Sequence, residues 1–80
     1  MTNVTIRLPS VKEVKDFVNA VSTCACDIDI AADRYIIDAK SIMGIFSLNL
    51  SKPLEIRIIS DDENEISDVL GKIKPFIVGE

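Results

Sequence analysis

The sequence contains no histidine and no tryptophan. Without an imidazole it has no ordinary side chain that titrates near neutrality, none to carry phosphate on a ring nitrogen, and none to complete a Cys/His zinc set. One tyrosine and three phenylalanines are the only aromatics. A core must therefore come mainly from Ile, Val and Leu, which favours strands and helix–sheet packing over a large aromatic ligand cavity. Three scattered glycines form no phosphate-cradling loop. No cluster of Lys and Arg occurs, and the net charge is −4. A nucleic-acid binder needs a basic patch to displace phosphate counterions, so that class of partner is excluded. No apolar run approaches bilayer length and the first residues lack a signal-peptide core, so the expectation is a cytoplasmic protein without membrane contact.

Cys24 and Cys26 are the only cysteines. Their C-x-C spacing fits neither a paired zinc finger nor the C-x-x-C redox motif. On a strand they would point to the same side, in line with Ile28 and Ile30. Both are expected in the core, where free cysteine commonly sits. A redox pair is the alternative.

What the sequence has is apolar periodicity. Of 80 residues, 48% are apolar, enough for one modest core; a chain of this size buries roughly 60–65% of its unfolded surface. Val4, Ile6 and Leu8 alternate with Thr5 and Arg7, the period of a half-buried strand that Pro9 ends. Ser10 and Glu13 fit a capping box, followed by Val11, Val14, Phe17, Val18 and Val21 at helical spacing, which predicts a helix over 10–21. Residues 24–30 read as a second strand and 35–39 as a third. The short link between them implies an antiparallel hairpin, whose turn lacks Asn-Gly or Asp-Gly. Ser41 is the expected N-cap of a short helix running to Leu48, weakened by Gly44, with Ile45 and Leu48 facing inward. Leu54, Ile56 and Ile58 alternate with Glu55 and Arg57 as a fourth strand. The acidic run at 61–65 opens a last helix with Ile66, Val69, Leu70 and Ile73 inward, Gly71 inside it and Pro75 ending it. The order is β-α-β-β-α-β-α, an α+β fold with three helices on one face of a four-stranded antiparallel sheet. Repeats, linkers and low-complexity segments are absent, so residues 1–80 are expected to form one domain.

Residues 39–48, reading Ala-Lys-Ser-Ile-Met-Gly-Ile-Phe-Ser-Leu, closely resemble the regulatory-serine segment of the histidine-containing phosphocarrier protein HPr of Gram-positive bacteria. The element order resembles the open-faced β-sandwich of HPr over essentially the whole chain. Two sites follow from the resemblance. The family's phosphate-carrying histidine opens the first helix, with an arginine two residues on. Ser10 occupies the histidine position here, Lys12 the arginine position and Glu13 that of the usual proline, and the preceding loop is shorter. A serine phosphoester is a poor donor, lysine lacks the guanidinium fork, and Glu13 would repel phosphate. The resemblance therefore implies no catalytic residue and no carrier activity, and the simpler reading of Ser10 is the helix cap.

The second site is the regulatory serine, matched by Ser41. In the family it is phosphorylated by an ATP-dependent kinase, and the product serves as corepressor in carbon catabolite regulation. A phosphate at a helix N-terminus meets free amides and a favourable dipole, and Lys40 is placed to add a counter-charge. By resemblance Ile42, Met43 and Phe46 form an exposed apolar patch for partners, although Met and Phe on a short helix also suit a core. The implied function is an HPr-like regulatory or binding protein related to the sugar phosphotransferase system, not an enzyme, without cofactor or metal. Its partners would be proteins, HPr kinase and a catabolite control repressor among them, with monomer or weak homodimer both open. The alternatives are a relative keeping only the fold, with apolar Ile36 and Ile59 on the open sheet face, or a redox protein built on Cys24 and Cys26.

Overall fold

The computed structural model describes residues 2–78. Its elements are β1 (Thr2–Ile6), α1 (Val11–Ser22), β2 (Asp27–Ala32), β3 (Tyr35–Asp38), α2 (Ile42–Phe46), β4 (Leu54–Ile59) and α3 (Glu63–Ile73), closed by a 3₁₀ turn at Lys74–Phe76. The expected β-α-β-β-α-β-α order and the all-antiparallel sheet hold. Spatial order is β1-β4-β2-β3, so the last strand inserts between the first two. Both crossovers, through α1 and through α2, lie on the same face as α3.

Strand periodicity decides which face that is. Ile28 pairs with Ile58 and Ile30 with Ile56 across β2 and β4, while Val4 pairs with Ile56 and Ile6 with Leu54 across β1 and β4. Paired residues share a face, so these apolar side chains form one layer under the helices. Val14, Phe17 and Val21 of α1 and Val69 and Ile73 of α3 cover it, all fully buried. Phe17 meets Phe76 edge-to-face with ring centroids 5.7 Å apart, which docks the segment after α3 against α1. The two helices are also tied at their ends, where Lys72 Nζ donates to Thr23 Oγ1 at 2.8 Å. No helix among the described residues is long and apolar enough to cross a membrane.

Several boundaries differ from the sequence expectation for local reasons. Leu8 is buried but lies beyond β1, whose pairing ends at Ile6 as the chain turns toward α1. Cys24 and Cys26 are buried as expected, yet they sit in a bend before β2, not on it. Val11 belongs to the predicted apolar stripe but is exposed, because the first helical position precedes the part of α1 that reaches the sheet. The hairpin turn at Asp33-Arg34 works without glycine: Asp33 takes φ of 54°, a left-handed conformation that Asp tolerates. Among the described residues it is the only non-glycine with positive φ. In α3, Asp62 caps the helix through Asn64 N at 2.8 Å, with Glu63 and Glu65 in the first turn. The helix ends at Ile73, ahead of Pro75.

Gly71 lies inside α3, and a Cβ built there meets nothing within 4 Å. Glycine's backbone freedom is thus a cost with no packing reason behind it. Gly71→Ala is expected to stabilise the protein by up to about 1 kcal/mol, raising the thermal midpoint by several degrees in a calorimetric scan.

Candidate functional site

Two clusters stand out by sequence, one at the start of α1 and one at the start of α2. At the first, Ser10 has the extended backbone of an N-cap, with φ −142° and ψ 168°, and its carbonyl accepts from Val14 N at 3.1 Å. The expected capping box does not close: no amide donates to the Ser10 hydroxyl, which instead donates to the Glu13 carboxylate. The hydroxyl proton is thus committed to the carboxylate, while its lone pairs receive no amide of the first turn. Lys12 Nζ bonds Asp16 Oδ2 at 2.9 Å in an exposed i,i+4 pair. That hydrogen bond raises the Lys12 ammonium above its ordinary value, with the charge of Asp16 adding to it. Both polar groups at this helix start are engaged along the helix. Val11 stands exposed between them, a feature the helical periodicity had assigned to the core.

The second cluster is built differently. Ser41 precedes α2 with φ −97° and ψ 101°, and its Oγ accepts from Gly44 N at 3.2 Å, the N-cap that the sequence predicts. Gly44 has a packing reason here: a Cβ would lie 3.2 Å from Ser41 Oγ and 3.3 Å from Ile37 Cδ1. Ser47 N and Leu48 N close the other end on Gly44 O and Ile45 O. A helix of five residues offers the core little more than one position, and Ile45 fills it completely. Ile42 and Leu48 are half-buried against the core. Met43 remains 75% exposed and Phe46 39% exposed. An apolar helix tip next to an exposed serine is thus the outcome of the helix's length.

Lys40 is not available as a counter-charge for Ser41. Its Nζ donates to Cys24 O at 2.9 Å and to Cys26 O at 3.2 Å, pinning the bend between α1 and β2. The expectation of a partner-facing Lys40 is corrected by this long-range bond, which no local pattern announces. Its backbone amide is also used, donating to Asp38 Oδ1 at 2.8 Å. The same geometry accounts for the cysteines. Both are free and buried, and burial, opposed mainly by Lys72, pushes the Cys24 thiol up from its ordinary value. A thiol in that state is a poor nucleophile.

Elsewhere, the open sheet face has a concavity of about 400 Å³ lined by Asp27, Ile28, Asp29, Asp38 and Ile59. Among the described residues no group of three or more His, Cys, Asp or Glu side chains is arranged to hold a metal ion.

The chain is similar to known proteins over most of its length. The family profile described as "PTS HPr component phosphorylation site" matches residues 11–77. Among solved structures, HPr-C-His from Thermoanaerobacter tengcongensis is similar with 28% identity and a TM-score of 0.72, over 92% of each chain. A phosphocarrier protein HPr from Bacillus anthracis str. Ames is similar with 26% identity and a TM-score of 0.65, over 89% of this chain and 92% of that one. No curated protein matches.

Two outcomes are expected from this geometry. Lys40→Met keeps the aliphatic stem and strips the donors from two carbonyls, so it should lower stability by about 1–3 kcal/mol in urea unfolding, whereas Lys15→Met on the exposed side of α1 should change little. Cys24 and Cys26 should resist Ellman's reagent in the folded protein and react on unfolding. Because burial raises the Cys24 thiol, the folded state holds that proton more tightly than the unfolded chain. Its contribution is complete below the unfolded thiol's pKa and is lost as pH rises through the folded value, so stability should fall on the alkaline side in a pH series.

Proposed function

The chain belongs to the PTS HPr family, and from that premise we propose that it is a regulatory binding module acting through Ser41 and the apolar tip of α2, with no phosphohistidine relay. Family members are phosphocarrier and binding proteins, not enzymes, and the similarity supports an HPr-like regulatory or binding role. The absence of histidine from the sequence removes the imidazole that a carrier of this family needs. Ser10, at the position the resemblance gives to that histidine, and Lys12 are engaged with Glu13 and Asp16, so neither offers a ready substitute.

The observation that carries the reading is the contrast between the two helix starts. At α2, Ser41 Oγ is exposed and, among the described residues, bonded only to the amide of Gly44, and Met43 and Phe46 are exposed beside it. A phosphate added there would carry nearly two negative charges beside free helical amides, and the site lacks a carboxylate hydrogen-bonded to the serine. Kinase recognition and repressor binding both suit such a surface: a modifiable hydroxyl with apolar anchors two and five residues further on. Lys40 takes no part in this reading. The partners proposed are HPr kinase and a catabolite control repressor, and the compartment proposed is the cytoplasm.

Intact-mass spectrometry tests this. Incubation with HPr kinase and ATP is expected to add one phosphate, and Ser41→Ala is expected to add none. The variant loses its cap and about 1 kcal/mol of stability, so circular dichroism checks its fold. Incubation with enzyme I and phosphoenolpyruvate is expected to leave the mass unchanged. Phosphate gained in that second incubation, or on a residue other than Ser41 in the first, would overturn the proposal.

A further inference from the structure

The two edges of the sheet differ. At β1 the returning chain lies alongside: Ile77 bridges Ile6, Val78 N donates to Thr5 O at 3.1 Å, and Arg7 N donates to Phe76 O at 3.0 Å. At the other edge β3 has β2 on one side and, among the described residues, no strand on the other. The ladder register says which groups point outward. Ala39 N donates to Ile28 O at 2.9 Å, and the pairs Ile30↔Ile37 and Ala32↔Tyr35 continue the alternation. Antiparallel ladders exchange bonds at every second pair, so residues 35, 37 and 39 address β2 while the N–H and C=O of Ile36 point away from the sheet. Tyr35 is 61% exposed and Ile36 59% exposed. The strand has neither proline, lysine nor a bulge to blunt it, and its brevity is its one protection.

We propose that β3 pairs with β3 of a second copy, antiparallel about a two-fold axis at Ile36, joining two four-stranded sheets into one of eight. Residues 34–38 are complementary to themselves in that register. Ile36 exchanges both main-chain bonds with the partner's Ile36 and packs on it across the open face. Arg34 stands opposite the partner's Asp38, and the symmetric pair repeats the contact; both side chains are exposed in the single copy. Tyr35 stands opposite the partner's Ile37 on the helix side of the sheet. There a groove of about 210 Å³, lined by Tyr35, Ile37, Ser47 and Leu48, is open to receive it. Neighbouring registers lack this agreement. An axis at Ile37 sets Ile36 against the partner's Asp38, an apolar side chain against a carboxylate. An axis at Tyr35 sets Arg34 against the partner's Ile36. Four strand residues per copy fall short of the roughly 1,000 Å² that a stable interface buries, so association is weak, with a dissociation constant on the order of 0.1 mM or above.

Sedimentation equilibrium from the low micromolar to the low millimolar range tests the pairing, with circular dichroism confirming that each variant is folded. The full chain is expected to dimerise reversibly. Ile36→Lys, which sets two ammonium groups against each other across the axis, is expected to weaken association by about tenfold or more. Arg34→Asp and Asp38→Arg each place like charges opposite each other and are expected to weaken it alone. Mixed together, those two variants regain opposite charges at both contacts and should form a heterodimer. A full chain monomeric throughout overturns the proposal and leaves the edge to a strand from another protein. A dimer indifferent to Ile36→Lys, or a mixture no tighter than its parts, overturns it as well.

Discussion

Ile28, Ile30, Ile56 and Ile58 make one continuous apolar strip across the two central strands, and 80 residues hold too little chain to cover both faces of a sheet. The rest of the structure follows from covering one of them. Inserting β4 between β1 and β2 puts the most apolar strands in the middle and obliges both crossovers to lie on the same side. The two long helices meet the strip with Val14, Phe17 and Val21 and with Val69 and Ile73. The opposite face is left mostly to Asp27, Asp29, Glu55 and Arg57, which need no cover, with Ile36 and Ile59 exposed among them. Burial at about 25 cal/mol per Å² makes the strip by far the largest stabilising contribution in a chain without disulfides.

The short helix α2 is where this constraint meets function. Its five residues are held at one end by Ser41 and at the other by bonds back onto Gly44 and Ile45, and it reaches the core through Ile45. Met43 and Phe46 are apolar residues that the fold does not use. Exposed apolar side chains in isolation mean little; here they flank a capping serine on a short rigid element, and the family match spans the whole of it. The start of α1 is the reverse case. Its polar side chains are engaged with one another along the helix, Ser10 with Glu13 and Lys12 with Asp16. Under the proposed function, one fold keeps one of the two sites that the family resemblance implies and loses the other.

Local periodicity made most of this legible. Strands alternating Leu54, Ile56 and Ile58, or Val4 and Ile6, could be read residue by residue, and so could the stripe of α1 and the Ser41 cap. What escaped was whatever depends on a partner far along the chain. The bend at Cys24 and Cys26 looked like a strand because its residues alternate. It is a bend held by Lys40, whose ammonium reaches two of its carbonyls. The same bond removes Lys40 from the site to which sequence proximity had assigned it. Ser10 has the right neighbours for a capping box, but pattern alone does not say whether an amide of the first turn comes within reach of its hydroxyl oxygen, and none does. Val11 fits the helical period, but period does not say how far the sheet extends beneath a helix. The turn at Asp33 had no glycine to mark it.

The central claim is that partners read this chain through the tip of α2. Amide chemical shifts of isotopically labelled protein, followed while HPr kinase is titrated in, test it most directly. The account predicts changes concentrated on Ser41, Ile42, Met43 and Phe46, with residues 10–13 and the open sheet face silent. Changes centred on the start of α1 or on the open face, with the α2 tip unmoved, would contradict it.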